Sequence, residues 1–407
     1  MKILFFSDYF IPEIGAPAAH VYDRCKIWVE QGHEVTVITN NPNYPSGIIY
    51  DGFSNRIRRW ENIEGINVLR IWTYPAENRG TFRRTLDYIS YFLSSFINSI
   101  FVKKPDVVIS TSPHIFTPLG AIFFSIIKRV PHVVEIRDLW PESIAATTSM
   151  KKTSLIYKIF QLLELFIYKH SKNIILYTNS FRLNLKSKGI SEKKMDVVIN
   201  GANLEIFKKI PYDYQLANNL GLNGKFTIAY FGTHGLAHNL YNAIYAANLV
   251  KDDDIHILFV GEGAIKNKMI ALSKSLNLEN VHFLKRQPRI KLSRFWSIAS
   301  AGLVHLKNDP VFESVIPSKI FETMAMELPI IYCGPESDGA KIIRNNNCGI
   351  ITPPDSPKDL AESFRTIKND NVLYKELKNN SKNSAIKYSR ISQAKGTLKV
   401  LKKAASI

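Results

Sequence analysis

A chain of 407 residues with 45% apolar and 22% charged side chains exceeds what one hydrophobic core serves and has none of the compositional bias of disordered, collagenous or disulfide-framed proteins, so two globular domains are expected. Its formal charge of +18 calls for an anionic partner such as a phosphorylated small molecule or an acidic membrane surface. Residues 1–200 hold 25 Lys+Arg against 17 Asp+Glu, so the excess is spread over both halves, and no aromatic-plus-basic recognition motif accompanies it to indicate nucleic acid.

Along the chain, KILFFS (2–7) is a short apolar run bounded by polar residues, as in a buried parallel strand, and is too short and too soon broken by Asp8 for a secretory segment. The expected location is therefore cytoplasmic. A helix over about Ala18 to Gln31, closed by Gly32, leads to a second strand, EVTVIT (34–39). NVLRIW (67–72), DVVIST (106–111), HVVEIR (132–137) and NIILYT (173–178) repeat the strand signature with helical stretches between several of them, which predicts an α/β fold with a parallel sheet covered on both faces. Three of the intervening stretches are long, apolar and flanked by basic residues: Leu86–Val102, AIFFSIIKR (121–129) and SLIYKIFQLLELFIYK (154–169). Asp87, Asn98 and several serines argue against the first spanning a bilayer, whereas an amphipathic helix with Lys/Arg at its ends suits either a large core or an anionic membrane surface.

The pattern restarts at FTIAYFG (226–232) and continues through HILFVGEG (256–263), VHFL (281–284), AGLVHL (301–306) and PIIYC (329–333). A second Rossmann-like unit is predicted, with the division between NGANLEIF (200–207) and the polar stretch 211–225. Residues 357–383 read as one charged helix, and another begins near Ile391. Cys25, Cys333 and Cys348 are too few and too scattered for a disulfide framework or a zinc site and are expected to be reduced and buried.

In doubly wound sheets ligands bind beyond the carboxyl ends of the strands, and the distinctive residues collect there. After the first strand, Gly15 and Ala16 lead into a helix whose N–H groups can approach an oxyanion; the loop is not a GxGxxG, which disfavours a dehydrogenase. His114 follows one strand, and Arg137, Asp138 and Glu142 follow the next; His114 and Asp138 are candidates for hydrogen-bonding a polar ligand or positioning a reacting hydroxyl. In the second half the candidates are Gly232, Thr233, His234 and His238 in YFGTHGLAHNL (230–240), Gly261 in GEG (261–263), Arg286 and Gln287 in KRQPR (285–289), and Pro317, Ser318, Lys319 and Glu322 in VIPSKIFETMAMELPII (315–331). Pro317 and Ser318 start a helix whose positive end suits a diphosphate, to which Lys319 adds a full charge while Glu322 accepts from ribose hydroxyls.

Together, NGANLEIF, YFGTHG, VGEG, KRQPR and above all PSKIFETMAMELPI resemble, in order and spacing, the GT-B glycosyltransferases of family four. SDYFIPEIGAPAAH and EIRDLWPES resemble a bacterial branch that builds O-antigen or capsule repeats, and within it the N-acetyl-L-fucosamine transferases that use a UDP-linked donor. The resemblance implies two Rossmann-like domains facing across a cleft, residues 1–205 binding the acceptor and 206–390 the nucleotide sugar, with the helix over 391–407 returning to the first. It also implies a retaining transfer with no metal or other cofactor, from a UDP-sugar to an undecaprenyl-diphosphate-linked acceptor at the inner face of the cytoplasmic membrane. The family's first loop maps onto Gly15 and Ala16, its loop histidine onto His114, its ribose-binding glutamate onto Glu322, and its base site onto Arg286 and Gln287.

Two features depart from the family pattern. The loop that ordinarily supplies an Arg and a Lys to the diphosphate reads GTHGLAHN, leaving Lys319 and Arg286 to provide charge. The first of the family's paired glutamates falls on Ser314, with Glu313 one place off. Lys319, Arg286 and the helix start would then stabilise the leaving diphosphate, and no carboxylate pair demands the geometry of a retaining glycosidase. The rival readings are a UDP-sugar 2-epimerase of the same fold, for which Glu13, Asp138 and Glu142 are the available carboxyls, and a non-catalytic sugar-nucleotide-binding subunit of a membrane assembly.

Overall fold

A computed structural model describes residues 1–13, 15–77, 82–112, 114–147 and 150–407. The chain forms two compact units, Met1–Ile199 with Gln393–Ile407, and Asn200–Ser392. The division comes six residues ahead of the one expected, because Ala202 pairs with Ser389 and so ties residues 200–205 to the second unit.

Unit 1 contains β1 (Lys2–Phe6), α1 (Ala16–Glu30), β2 (Glu34–Asn40), β3 (Arg58–Ile63), β4 (Ile66–Ile71), α2 (Phe82–Ser99), β5 (Val107–Thr111), α3 (Phe116–Lys128), β6 (His132–Ile136), α4 (Glu142–Thr147), α5 (Leu155–His170), β7 (Asn173–Leu176), α6 (Asn179–Ser187) and β8 (Met195–Val197). Its sheet runs β3-β4-β2-β1-β5-β6-β7-β8. Phe5 of β1 lies opposite Val37 on one side and Ile109 on the other, which is why the apolar runs of the sequence carry no alternation: these strands are covered on both faces. The expectation of a parallel sheet needs one correction, since β3 pairs antiparallel with β4. Arg58, Trp60 and Glu61 sit in an edge strand of alternating exposure, and charged residues there blunt the edge against further pairing while hiding the strand from an apolar-run search.

Unit 2 contains α7 (Tyr214–Asn219), β9 (Phe226–Phe231), α8 (Tyr241–Leu249), β10 (Ile255–Val260), α9 (Lys266–Ser275), β11 (Val281–Leu284), α10 (Leu292–Trp296), β12 (Ala301–His305), α11 (Ser318–Ala325), β13 (Ile330–Cys333), α12 (Asp338–Asn345), β14 (Gly349–Thr352), α13 (Pro357–Asn369) and α14 (Asn371–Ala385). Its sheet, β11-β10-β9-β12-β13-β14, is parallel throughout. The single helix expected over 357–383 is two: Asp370 ends α13, and its carboxylate accepts the N–H groups of Val372 and Leu373 at 3.0 and 2.9 Å, capping α14. Such a cap is worth about 1 kcal/mol and makes the break deliberate.

The last helix, α15 (Arg390–Ala405), buries Ala394, Leu398 and Leu401 against Trp28 in the core of unit 1, where the Trp28 indole donates to the Ala394 carbonyl at 3.0 Å. The three cysteines are buried and unpaired.

Candidate active site

In unit 2 the carboxyl ends of β9 and β10 bring together residues far apart in sequence. Gly232, just after β9, has φ +138, and a Cβ there would lie 3.4 Å from Lys319 Nζ. Lys319, in the first turn of α11, is buried; its ammonium donates to the Tyr230 hydroxyl at 3.1 Å and stands 4.3 Å from the centre of that ring. Burial, opposed weakly by Glu322, lowers its pKa to about 8. The Tyr230 hydroxyl in turn donates to the Thr233 carbonyl at 2.9 Å, so the loop, the strand and the helix are tied at one point. Pro317 occupies the N-cap of α11 and no side chain caps it; the Ser318 hydroxyl, the natural candidate, donates instead to Glu322 at 3.3 Å. Ile320 N–H turns back to the Pro317 carbonyl at 3.1 Å, which leaves the N–H groups of Ser318 and Lys319 to an anion.

The histidines of the 230–240 loop are neutral donors rather than charges. His234 is fully buried with no hydrogen-bond partner for either ring nitrogen among the described residues, and burial together with the nearby Lys266 lowers its pKa to about 4. His238 donates through Nδ1 to the His305 carbonyl at 3.2 Å and is lowered by burial to about 3. An imidazole that stays neutral still offers an N–H to a phosphate oxygen. Thr233 and Arg286 are exposed, and Gln287 donates to the Lys285 carbonyl at 3.1 Å. Lys319 and Glu322, three apart, do not act as an ion pair by contact: Glu322 lies with Ser318 and within the fields of Arg289 and Arg390, while burial raises its pKa. Glu313, one place from the family's first glutamate, is exposed.

Sequence reasoning missed Lys266. Its ammonium is buried and donates to the Gly261 carbonyl, the Glu262 carboxylate and the Leu284 carbonyl at 2.8, 2.9 and 2.8 Å. All three of its protons are used, so it holds the GEG loop in place and adds charge only at a distance.

In unit 1 the loops after β1, β2 and β5 meet. Asp8 is buried, with one oxygen accepting from Asn40 at 3.1 Å and the other 3.1 Å from His114 Nε2. His114 is itself fully covered and stacked on Tyr88 at 3.9 Å. It therefore meets Asp8 rather than open space, which corrects the expectation that its ring is presented to a sugar. Asp138 is exposed beside Arg137, whose guanidinium contacts His20 at 2.8 Å and stands 5.4 Å from the Tyr177 ring. Gly15 is the N-cap of α1, in an extended conformation, with Ala16 the first helical residue. Gly15 lines a cavity of about 180 Å³ with Tyr9, Glu13, Ala18, Tyr44 and Arg84. Burial, reinforced by the charge of Asp8, raises Glu13 to about 7 and, with Glu13 also contributing, Asp87 to about 9.

Comparison with known proteins agrees with this architecture. Residues 15–201 match the model of the glycosyl transferase 4-like domain and residues 214–384 that of the glycosyl transferases group 1. The putative colanic acid biosynthesis glycosyl transferase WcaI of Escherichia coli is 25% identical over 80% of this chain and 81% of its own. A Campylobacter jejuni N-acetylgalactosamine-N,N'-diacetylbacillosaminyl-diphospho-undecaprenol 4-alpha-N-acetylgalactosaminyltransferase is 24% identical over 52% of this chain and 54% of its own. The structure of Anabaena Alr3699/HepE in complex with UDP and glucose superimposes with a TM-score of 0.72 at 16% identity, covering 98% of this chain and 99% of that one, which establishes the shared fold. With one model matching each Rossmann-like unit, the chain belongs to the group 1 glycosyltransferases of the GT-B fold and is a glycosyltransferase.

Proposed function

We propose that the chain transfers an N-acetylated deoxyhexose, N-acetyl-L-fucosamine being the sugar favoured by its sequence resemblance, from UDP to an undecaprenyl-diphosphate-linked saccharide during assembly of an O-antigen or capsule repeat. The transfer is retaining and needs no metal ion. The observation that carries this reading is the convergence of Lys319, the glycine backbone at 232 and the uncapped start of α11, with Glu322 one turn further on. A diphosphate placed there meets one full charge and free N–H groups, and the charge that develops on it as the glycosidic bond breaks is stabilised in place. The acceptor hydroxyl attacks from the face the diphosphate leaves and passes its proton to a phosphate oxygen. In unit 1, His114 orients Asp8, and Asp138 at the loop surface contacts the acceptor. The printed names of the relatives support the substrate classes: UDP in HepE, diphospho-undecaprenol in the Campylobacter enzyme, colanic acid in WcaI.

A thermal-shift comparison of UDP, GDP, ADP and dTDP tests the donor assignment. UDP at about 100 times its dissociation constant should add about 2.7 kcal/mol to the folded state. The rise is expected with UDP alone and is expected to vanish in Glu322→Ala. A response to no nucleotide, or a parent-like response in Glu322→Ala, removes this donor site.

Peripheral membrane contact is part of the proposal. No helix among the described residues is long and apolar enough to cross a membrane. Yet α2, α3 and α5 expose Leu93 and Ile97, Ile126 and Ile127, and Ile159 and Leu162, respectively. Phe123 of α3 joins the three helices by ring contacts with Phe96 and Phe166, and Lys103, Lys104, Lys128, Arg129, Lys151 and Lys152 stand at their ends. Each such cation adds about 1 kcal/mol at an anionic surface. The protein should float with vesicles containing phosphatidylglycerol and not with pure phosphatidylcholine, and Ile126→Glu with Ile127→Glu should reduce flotation at least about tenfold; flotation indifferent to both changes refutes the contact.

A further inference from the structure

The cavity beside Gly15 has a chemistry of its own. Its Glu13 is 4% exposed. One carboxylate oxygen accepts the N–H groups of Asn43 and Tyr44 at 2.9 and 3.0 Å, and the other, Oε2, has no partner among the described residues. Asp87, 8% exposed, likewise has an unpartnered Oδ1. A buried acceptor left unmatched carries a desolvation penalty of about 1–3 kcal/mol; Asp87 does not line the cavity, and Glu13, which does, is the one that calls for a donor from outside the chain. The loop that carries Glu13 is held firmly: Arg70 donates to the Ile11 carbonyl at 2.6 Å and to the Asn40 carbonyl at 3.2 Å, and Glu13 N donates to the Phe10 carbonyl at 3.2 Å. The unmatched oxygen is thus fixed in position before any ligand arrives.

Three features define what fits. The volume of about 180 Å³ is below the 300–1,000 Å³ typical of drug-sized ligands, so it takes one small ring and excludes a nucleotide or a lipid chain. The walls combine an edge-to-face pair of aromatic rings, Tyr9 and Tyr44, 5.2 Å apart, with carboxyl oxygens; a pyranose presents an apolar face to rings and hydroxyl donors at its rim. The cation lining it, Arg84, is engaged with the Tyr88 hydroxyl.

We propose that this cavity binds a single pyranose ring of the acceptor saccharide, with Glu13 Oε2 accepting a hydroxyl proton in a hydrogen bond and Tyr9 and Tyr44 covering the apolar face of the ring. The proposal rests on the glycosyltransferase reading above and makes Glu13 a specificity-determining residue.

The test uses the full chain and methyl glycosides of galactose, glucose and their 2-acetamido-2-deoxy forms, followed by saturation-transfer NMR, with UDP thermal shift in parallel. Glu13→Gln keeps an oxygen for the Asn43 and Tyr44 amides but turns a donor toward the ligand. At pH 8.5, where a carboxyl raised to about 7 is ionised, at least one glycoside should bind the parent, and its affinity should fall at least about tenfold in Glu13→Gln, the loss of one hydrogen bond to a charged group. Tyr44→Leu, which keeps the backbone amide, should weaken the same glycoside. The UDP response should match the parent in both variants, which also reports that they fold. No glycoside binding to the parent, unchanged binding in Glu13→Gln, or loss of the UDP response in that variant overturns the proposal. Absence of a UDP response in the parent fails the donor reading instead.

Discussion

Lys319→Met should lower turnover with a UDP-sugar by at least about a hundredfold while leaving the unliganded protein no less stable. The two halves of this expectation have one cause. Lys319 is buried with a single hydrogen bond among the described residues, to a neutral tyrosine hydroxyl, so its charge is poorly compensated until an anion arrives. Burial has already drawn its pKa from 10.5 to about 8. A methionine of similar length fills the space, removes the desolvation penalty and removes the charge that meets the leaving diphosphate. Loss of one preorganised electrostatic group of this kind ordinarily reduces turnover by about 10²–10³. Lys319→Arg should not restore it, because the ammonium is buried against Tyr230, 3.1 Å from its hydroxyl and 4.3 Å from its ring centre, and the larger guanidinium must displace that ring. The pH dependence follows with a definite sign. A donor diphosphate favours the ammonium form, so donor affinity should be level below pH about 8 and fall by up to about tenfold per pH unit above it. The same group makes the opposite contribution to the empty protein: with a folded pKa below its unfolded value, the penalty on stability is present below pH about 8 and is relieved between there and 10.5. Parent-like turnover in Lys319→Met, or an affinity profile flat through pH 8 to 9.5, excludes Lys319 from the phosphate site.

Much of the architecture is legible in the sequence because its signals are local. Apolar runs without alternation, such as KILFF and HILFV, mark strands covered on both faces. The PSK start of α11 is readable for the same reason: a helix boundary and a lysine in its first turn need no partner to be recognised. What escapes is what depends on partners. β3 has the composition of an exposed segment because only its pairing with β4 makes it a strand. Lys266 looks like one lysine among many until its ammonium is found among three acceptors drawn from Gly261, Glu262 and Leu284. His114 is conspicuous in sequence, but its contact with Asp8, 106 positions away, turns it inward. Glu13 is in sequence one of three available loop carboxyls, and only the folding of the 43–44 backbone over one of its oxygens isolates the other. That the histidines of the 230–240 loop are neutral is also hidden from the sequence, since burial is what lowers their pKa values. Residue type is visible in a sequence, whereas protonation state belongs to the packed environment.

Gly261→Ala should abolish UDP binding without unfolding unit 1, an effect as large as that of Lys319 and of steric rather than electrostatic origin. The carboxyl ends of β9 and β10 approach so closely that a Cβ on Gly261 would lie 1.9 Å from the Gly232 carbonyl oxygen and 3.2 Å from His234 Nε2. The obstacle is backbone, which cannot rotate aside, and Gly261 itself has φ +158. A methyl group therefore forces the two loops apart. Gly232 N is bonded to the Val260 carbonyl and His234 N to the Glu262 carbonyl at 3.0 and 2.9 Å, so the displacement is carried straight into the groups that flank Lys319. A misplacement of about 1 Å in a binding constellation is enough to reduce activity by about a hundredfold. Gly224→Ala provides the matched control: that glycine also has positive φ, +74, but nothing lies within 4 Å of an added Cβ. It should cost about 1–2 kcal/mol of stability and leave the UDP response intact. Vesicle flotation, which depends on α2, α3 and α5, should survive in both variants. If Gly261→Ala keeps the UDP response, the crossing of the two loops is not what holds the nucleotide, and α11 with Glu322 must hold it alone.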